Sequence, residues 1–289
     1  MARPLRIEYP GALYHITSRG NSKQEIFLDD KDRSIFLELL STTVSLHEWL
    51  CYSYCLMGNH YHLLVETPKA NLSRGMHWLN GAYAQRYNRR HSKVGHFFQG
   101  RYHAVIVDKE EYLLEVSRYI VLNPVRAGLV EDPAHYRWSS YLEVLGRRKA
   151  AEFLDTAYSL SLFSQPGRSS IEEYEAFVLN GLGSEIWSKL RGNLILGNER
   201  FSKELKDRFD ALKDCRDISR KERFAIRPLL SEIIGDSEYG LEERNSRIVK
   251  AKVEYGYTLK EIAVFLGLHR NSIWRIVASK TKDGSHFEV

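Results

Sequence analysis

The order of apolar periodicities along roughly the first 125 residues restricts the fold of this chain more than any other feature. Leu13-Tyr14-His15-Ile16-Thr17 reads as a short strand between Gly11 and Gly20. From Asp30 to Glu48 the apolar residues Ile35, Phe36, Leu39, Leu40 and Val44 fall at helical spacing, and Asp29 or Asp30 can cap the first turn. Leu50–Met57 and His60–Glu66 are β-rich and flank the turn signal Gly58-Asn59, so the pair predicts a hairpin. Leu72–Arg90 reads as a helix with Leu72, Met76, Leu79, Tyr83 and Tyr87 near one face, and Tyr102–Val107 as another strand. A last helix, Lys109–Leu122, is expected to stop near Asn123-Pro124, because the residue before a proline disfavours the α region. The order β-α-β-β-α-β-α predicts an α+β, ferredoxin-like split βαβ antiparallel sheet with one added helix.

Beyond Gly146 the pattern weakens. Gln165-Pro166-Gly167-Arg168-Ser169-Ser170 reads as a linker, and Ile171–Asp236 as helices broken by Gly181, Gly183, Gly192 and Gly197. The stretch Thr258–Val277 has a helix-turn-helix cadence. Ala263 is small enough for close helix packing, Gly267 can take the turn, and Ile273 and Ile276 face inward, which leaves His269, Arg270, Asn271 and Arg275 to meet DNA. A generic helical hairpin would show much of the same pattern. The expected organisation is a catalytic sheet domain over 1–148, a helical connector over 149–240 and a helix-turn-helix region over 241–283.

Charge placement sharpens the functional reading. Between Thr67 and Val107 stand seven bases (Lys69, Arg74, Arg86, Arg89, Arg90, Lys93 and Arg101) and no acid. Arg244–Lys282 carries nine bases against Glu254 and Glu261, whereas residues 151–243 carry 13 bases and 18 acids. Two basic blocks flanking an acidic middle suggest two contacts with a polyanion. Either block alone is equally consistent with a solvated helix face. Trp78, Tyr83, Tyr87, Phe97, Phe98 and Tyr102 interleave with the first block, a composition suited to gripping single strands by stacking bases and holding phosphates. Several of these aromatics must instead be core residues. No apolar run reaches membrane-spanning length, no secretion signal is read at the N-terminus, and three cysteines (Cys51, Cys55, Cys215) make no disulfide framework, so a cytoplasmic location is expected.

His60-Tyr61-His62 carries the sharpest chemistry. Strand alternation puts both imidazoles on one face and Tyr61 on the other, so both can offer nitrogen lone pairs to one divalent ion. Such a triplet alone is weak, and surface or core histidines account for most of them. A zinc site built from Cys51, Cys55, His60 and His62 is a minor alternative, since the spacing gives no C-x-x-C knuckle. On the helix that follows, Tyr112 and Tyr119 lie on nearly the same side and Asn123 lies four residues beyond Tyr119. A phenol near a metal on a sheet face suits nucleophilic attack on a phosphodiester, and an amide oxygen one turn away can complete the coordination. Spacing does not decide among Tyr112, Tyr119 and Tyr141.

Five stretches decide the reading: Ala2–Asn21, Met57–Val65, Gly95–Tyr102, Ser117–Leu129 and Tyr136–Tyr141. In this order they resemble the REP-associated tyrosine transposases, single-tyrosine relatives of the bacterial insertion-sequence transposases built on the HUH (His-hydrophobe-His) nuclease fold. The resemblance spans roughly residues 1–145. It implies His60 and His62 as metal ligands, Tyr119 as the nucleophile, Asn123 as the third ligand, and Mg²⁺ or Mn²⁺ as the cofactor. It implies cleavage and rejoining of single-stranded DNA through a 5′-phosphotyrosine, at short repetitive palindromes folded as hairpins, with no membrane partner. A homodimer and a monomer both fit relatives of this kind. More loosely, Tyr257–Val277 resembles the helix-turn-helix domain of the bacterial replication initiator, which implies duplex binding. The rivals are a non-catalytic DNA-binding regulator on the same fold and a metal-dependent endonuclease that uses water and forms no protein–DNA link.

Overall fold

The computed structural model describes residues 7–163, 169–183, 185–205, 227–235 and 240–280. The chain divides into two compact units, one over Pro4–Glu204 and the other comprising the chain from Leu205 onward. The expected α+β arrangement is present. Strands β1 (Ala12–Arg19), β2 (Leu50–Leu56), β3 (His60–Thr67) and β4 (His103–Val107) stand in the order β2-β3-β1-β4, every neighbouring pair antiparallel. Helices α1 (Asp30–His47) and α2 (Leu72–Arg90) cross between them, which is the ferredoxin-like split βαβ arrangement.

Local chemistry accounts for these elements. The Asp29 side chain accepts a hydrogen bond from Asp32 N at 3.0 Å and so starts α1, which ends where Glu48 turns left-handed. On α2 the stripe Met76, Leu79, Tyr83 and Tyr87 is fully buried. Gly75 on the same face lies against the Trp49 indole, in space that a Cβ would need. Phe36 of α1 meets Tyr61 and Tyr83, so α1 and α2 cover the sheet face that carries Tyr61. Helix α3 (Lys109–Val121) has Glu110 and Glu111 in its first turn and Arg118 in its last, matching the helix dipole. Its Leu113, Val116 and Ile120 pack with Leu64, Val105 and Val107 of the sheet, each such burial stabilising by about 1.5–3 kcal/mol.

Helix α3 ends at Val121, near the expected stop at Asn123-Pro124. After α3 a second short helix, α4 (Asn123–Arg126), continues almost in phase: Leu122 N bonds to Arg118 O at 3.0 Å and Arg126 N to Leu122 O at 3.0 Å. Proline is tolerated in the first turn of a helix, where its missing N–H would lack a partner anyway. Helices α5 (Tyr141–Val144), α6 (Thr156–Ser161) and α7 (Ser170–Leu179) then gather around Val121, Leu122, Tyr141 and Tyr174 as a second core.

The expected linker falls largely on residues 164–168, outside the described residues. Farther on, the reading of glycine-broken helices needs correction. Between Gly181 and Glu199 the chain forms a 3-10 turn, Ile186–Lys189, and a hairpin of two-residue strands, β5 (Leu190–Arg191) and β6 (Ile195–Leu196). Strand β6 pairs parallel with β4, Ile106 opposite Ile195, so the sheet has six strands in the order β2-β3-β1-β4-β6-β5. Helix α8 (Glu199–Glu204) follows.

In the C-terminal unit, α9 (Leu230–Ile234), α10 (Leu241–Val253), α11 (Leu259–Leu266) and α12 (Arg270–Lys280) surround Ile248, Ala251, Ile262, Ala263 and Ile273. Thr258 and Glu261 form a capping box on α11, and Gly267 takes φ +64° at its end before α12 begins. Among the described residues no helix is long and apolar enough to cross a membrane.

Candidate active site

The β1–β3 register sets one face of the sheet. Thr17 pairs with His62 and Arg19 with His60, so both imidazoles point to the side covered by α3, while Tyr61 points to α1 and α2. The Tyr61 hydroxyl donates to Asn80 Oδ1 at 2.6 Å there, and its ring is fully buried. The His60 and His62 rings lie 5.0 Å apart, edge to face. Tyr119, partly exposed on α3, presents its ring 6.0 Å from that of His62, again edge on.

The other two candidate tyrosines lie elsewhere. Tyr112 is buried beneath the sheet and its phenol is pushed up by that burial. Tyr141 is fully buried among α3, α5 and α7, and burial, with the Glu175 and Asp132 charges, raises its phenol to about 12. Of the three, Tyr119 is the one in ring contact with the histidine pair.

The zinc arrangement fails on register. Cys51 pairs with Val65 and Cys55 with His62, three residues apart on β3, because the pairing shifts between Cys51 and Ser53. That irregularity puts the two thiols on opposite faces. Burial raises both thiols, Cys51 to about 12. Cys215 lies outside the described residues.

Several features suit the histidine pair to a cation. Both imidazoles are held neutral: burial and the nearby Arg19 charge lower His60 to about 4, and burial with His15 and His60 lowers His62 well below the usual range. His60 Nδ1 meets Asn59 Oδ1 at 2.6 Å, where it must be the donor, so its Nε2 carries the lone pair. His62 Nε2 is buried and has no hydrogen-bond partner. Asn123, the third residue the resemblance implies as a ligand, opens α4. Its Nδ2 donates to Tyr119 O at 2.9 Å, back along the helix, so the amide oxygen is turned away from the helix backbone. Among the described residues no three His, Cys, Asp or Glu side chains are gathered in metal-binding geometry. Two imidazoles and an amide oxygen can nevertheless hold a divalent ion together with water or substrate oxygens.

Three contributors were not singled out from spacing. His15 on β1 places its Nε2 2.9 Å from His62 Nδ1. Trp187, from the 3-10 turn, stacks on His15 with centroids 5.0 Å apart and meets Tyr119 edge on, also at 5.0 Å. The Arg126 guanidinium lies 5.0 Å from the Tyr119 ring centroid. Arg126 and His15 stood within recognisable stretches, but nothing local marked Trp187.

The basic block divides on inspection. Arg74, Arg89, Lys93 and Arg101 are exposed. Arg86 lies 3.8 Å from Glu38 at the surface. Arg90 is instead clamped by Asp29, at 2.9 Å, and by the buried Asp32, at 2.5 Å. Its guanidinium, with the Asp32 backbone N–H, holds the Asp29 carboxyl at about 2. Tyr83, Tyr87, Phe97 and Tyr102 are core residues and unavailable to bases; Trp78 and Phe98 are partly exposed. A cavity of about 570 Å³ opens beside α2 and the 95–102 loop, with His77, Asn80, Phe98 and Arg101 in its lining. In the C-terminal unit His269, Arg270, Asn271 and Arg275 are all exposed, as is Trp274 at 59%, while Ile273 is fully buried.

A family model described as "Transposase IS200 like" matches residues 9–123, a segment that includes His60, His62, Tyr119 and Asn123. The matched segment covers 115 of the 289 residues of the chain. Among solved structures, a REP-associated tyrosine transposase bound to a REP hairpin is similar at 13% identity, covering 54% of this chain and 94% of its own, with a TM-score of 0.44. No curated protein sequence matches the chain. The segment similar to that family runs from β1 to the end of α3, and Trp187 reaches its histidine face from beyond it.

Proposed function

We propose that this protein is a transposase that cuts and rejoins single-stranded DNA through Tyr119, assisted by Mg²⁺ or Mn²⁺ held by His60, His62 and Asn123. The observation that carries the reading is the buried, unbonded Nε2 of His62 on the face against which Tyr119 packs. An unsatisfied buried nitrogen costs stability and is kept where something fills it. The ion, when bound, supplies Lewis-acid polarisation of the scissile phosphate. The Tyr119 oxygen attacks phosphorus: a P–O(Tyr119) bond forms, the bond from phosphorus to the 3′ oxygen breaks, and the phenol proton is released while the departing 3′ oxygen takes up a proton. The product is a 5′-phosphotyrosine and a free 3′-hydroxyl. A 3′-hydroxyl attacking the same phosphorus reverses the step without ATP, because the ester conserves the energy of the broken bond. Trp187 and Arg126 restrict where the phenol can swing.

By analogy with the REP-associated enzymes, the substrate is a repetitive palindromic hairpin. Exposed Arg74, Arg89, Lys93 and Arg101 are suited to its phosphates, and Phe98 beside the cavity to an unpaired base. His269, Arg270, Asn271 and Arg275 on and before α12 are suited to duplex DNA.

The test is a denaturing gel with labelled hairpin oligonucleotide. A protein–DNA adduct that needs Mg²⁺ or Mn²⁺ and disappears in Tyr119→Phe, with binding retained, is the expected result. An adduct that persists in Tyr119→Phe refutes the assignment. Cleavage without any adduct identifies a water-using endonuclease.

A further inference from the structure

We propose that His15 is a positioning residue of the metal site, fixing through one imidazole–imidazole hydrogen bond both the orientation and the tautomer of His62. The inference rests on the reading of His62 as a ligand.

The geometry starts with the register. Thr17 pairs with His62 across β1 and β3, and His15 lies two residues from Thr17 on the same face, so His15 and His62 are diagonal neighbours. Their rings are parallel within 4°, with centroids 5.2 Å apart and His15 Nε2 2.9 Å from His62 Nδ1. This is an in-plane contact between two ring nitrogens, and between two neutral imidazoles it needs one N–H and one lone pair. In one arrangement His62 donates through Nδ1, and its Nε2 carries a lone pair. In the other, His15 donates, and His62 is left with a buried Nε2–H that has no acceptor. A buried N–H without an acceptor costs about 1–3 kcal/mol. The first arrangement leaves a lone pair that a cation satisfies.

His15 is itself immobilised. It is 4% exposed and stacked on Trp187 with an interplanar angle of 27°. A ring that cannot turn holds its partner's ring in one plane. Outer partners of metal-bound histidines act in this way, and their loss typically costs about 10–100-fold in metal affinity.

The experiment is a Mn²⁺ titration of the full-length protein without DNA, followed by electron paramagnetic resonance. His15→Phe keeps a ring of similar size and removes the acceptor. His15→Gln keeps an acceptor oxygen near the position of Nε2. Expected results are a roughly 10–100-fold weaker Mn²⁺ affinity in His15→Phe and recovery to within a few-fold in His15→Gln. Should His15→Phe fail to fold, His15→Met, with the reach of glutamine but no strong acceptor, takes its place. In the metal-free wild type, ¹⁵N shifts of the His62 imidazole should report the Nδ1–H form. Wild-type affinity in His15→Phe or His15→Met, alongside loss of binding in His62→Ala, overturns the role of His15 alone. Unchanged binding in His62→Ala overturns the ligand reading and this inference with it. An Nε2–H form at His62 in the metal-free protein also refutes the inference.

Discussion

On the proposed reading Asn123 combines two jobs in one side chain, helix tie and metal ligand, and exchanging its amide nitrogen for oxygen separates them. Its Nδ2 donates to Tyr119 O at 2.9 Å and approaches Ile120 O at 3.5 Å, so the amino group ties the start of α4 to the last turn of α3. That orientation follows from chemistry, since a nitrogen and not an oxygen must face two carbonyls. In Asn123→Asp a carboxylate oxygen meets the Tyr119 carbonyl instead. The lost bond costs about 1 kcal/mol, and the unsatisfied acceptor brings the total to roughly 1–2 kcal/mol. For a unit of this size each kcal/mol lowers Tm by about 2–4 °C, so a fall of roughly 2–8 °C is expected by calorimetry. Metal affinity should move the opposite way, because a charged oxygen replaces a neutral one on the outward side. Asn123→Ala loses the same backbone bond and the ligand together. Its Mn²⁺ affinity should drop by at least the ~10–100-fold typical of an outer partner. An Asn123→Ala protein that melts lower yet binds Mn²⁺ like wild type would show that the amide serves only as a helix tie.

Arg89 and Arg90 are neighbours in sequence with opposite expected roles. Arg89→Ala should weaken single-strand binding and flatten its dependence on log salt by about 0.7, the share of one phosphate contact. Arg90→Ala should leave that slope unchanged and lower thermal stability, because it strips the buried Asp32 of a partner at 2.5 Å; an equal change of slope in both variants would refute the distinction. In the C-terminal unit, burial pulls the Glu261 carboxyl upward, but hydrogen bonds from Thr258 and Arg227 outweigh it and hold the group below its ordinary value. Its contribution is therefore present above the unfolded value of about 4.3 and lost as pH falls through the lower folded one. Protection factors of the α11 amides, taken relative to intrinsic exchange at each pH, should fall on acidification in wild type and change less in Glu261→Gln; identical profiles would contradict the capping role.

What the sequence made legible follows the range of each rule. Period-two alternation was enough to put His60 and His62 on one face and Tyr61 on the other, because that relation is internal to one strand. Helical spacing likewise recovered the buried stripe Met76, Leu79, Tyr83 and Tyr87, though not which of the interleaved aromatics would stay at the surface. The relation of His15 to His62 needed the pairing of β1 with β3, which no local pattern encodes. A single irregularity between Cys51 and Ser53 decided the fate of the zinc arrangement, and irregularities of this sort leave no clear trace in composition. The proline rule put the end of α3 near Asn123 correctly, but it describes only where a helix stops and could not show that Pro124 lies in the first turn of the next one. Strands of two residues, as in Leu190–Arg191 and Ile195–Leu196, are too short to show any period.

Those short strands explain how a residue far along the chain comes to border the histidine face. Strand β6 adds to the sheet beyond β4 through Ile106–Ile195 and Val107–Leu196, and β5 closes back on it. His103 Nε2 at the start of β4 lies 3.1 Å from Asn193 O in the connecting turn, and Ile106 N bonds to Leu194 O at 2.7 Å. The hairpin is thus anchored to the same strand that flanks β1. The 3-10 turn that leads into it has little freedom, so Trp187 is delivered onto His15 and Tyr119 by backbone pairing rather than by side-chain attraction alone. A stacked indole also excludes water from the buried side of His15. The segment matched by the family model carries the proposed ligands and nucleophile, and residues beyond it, Trp187 among them, wall them in.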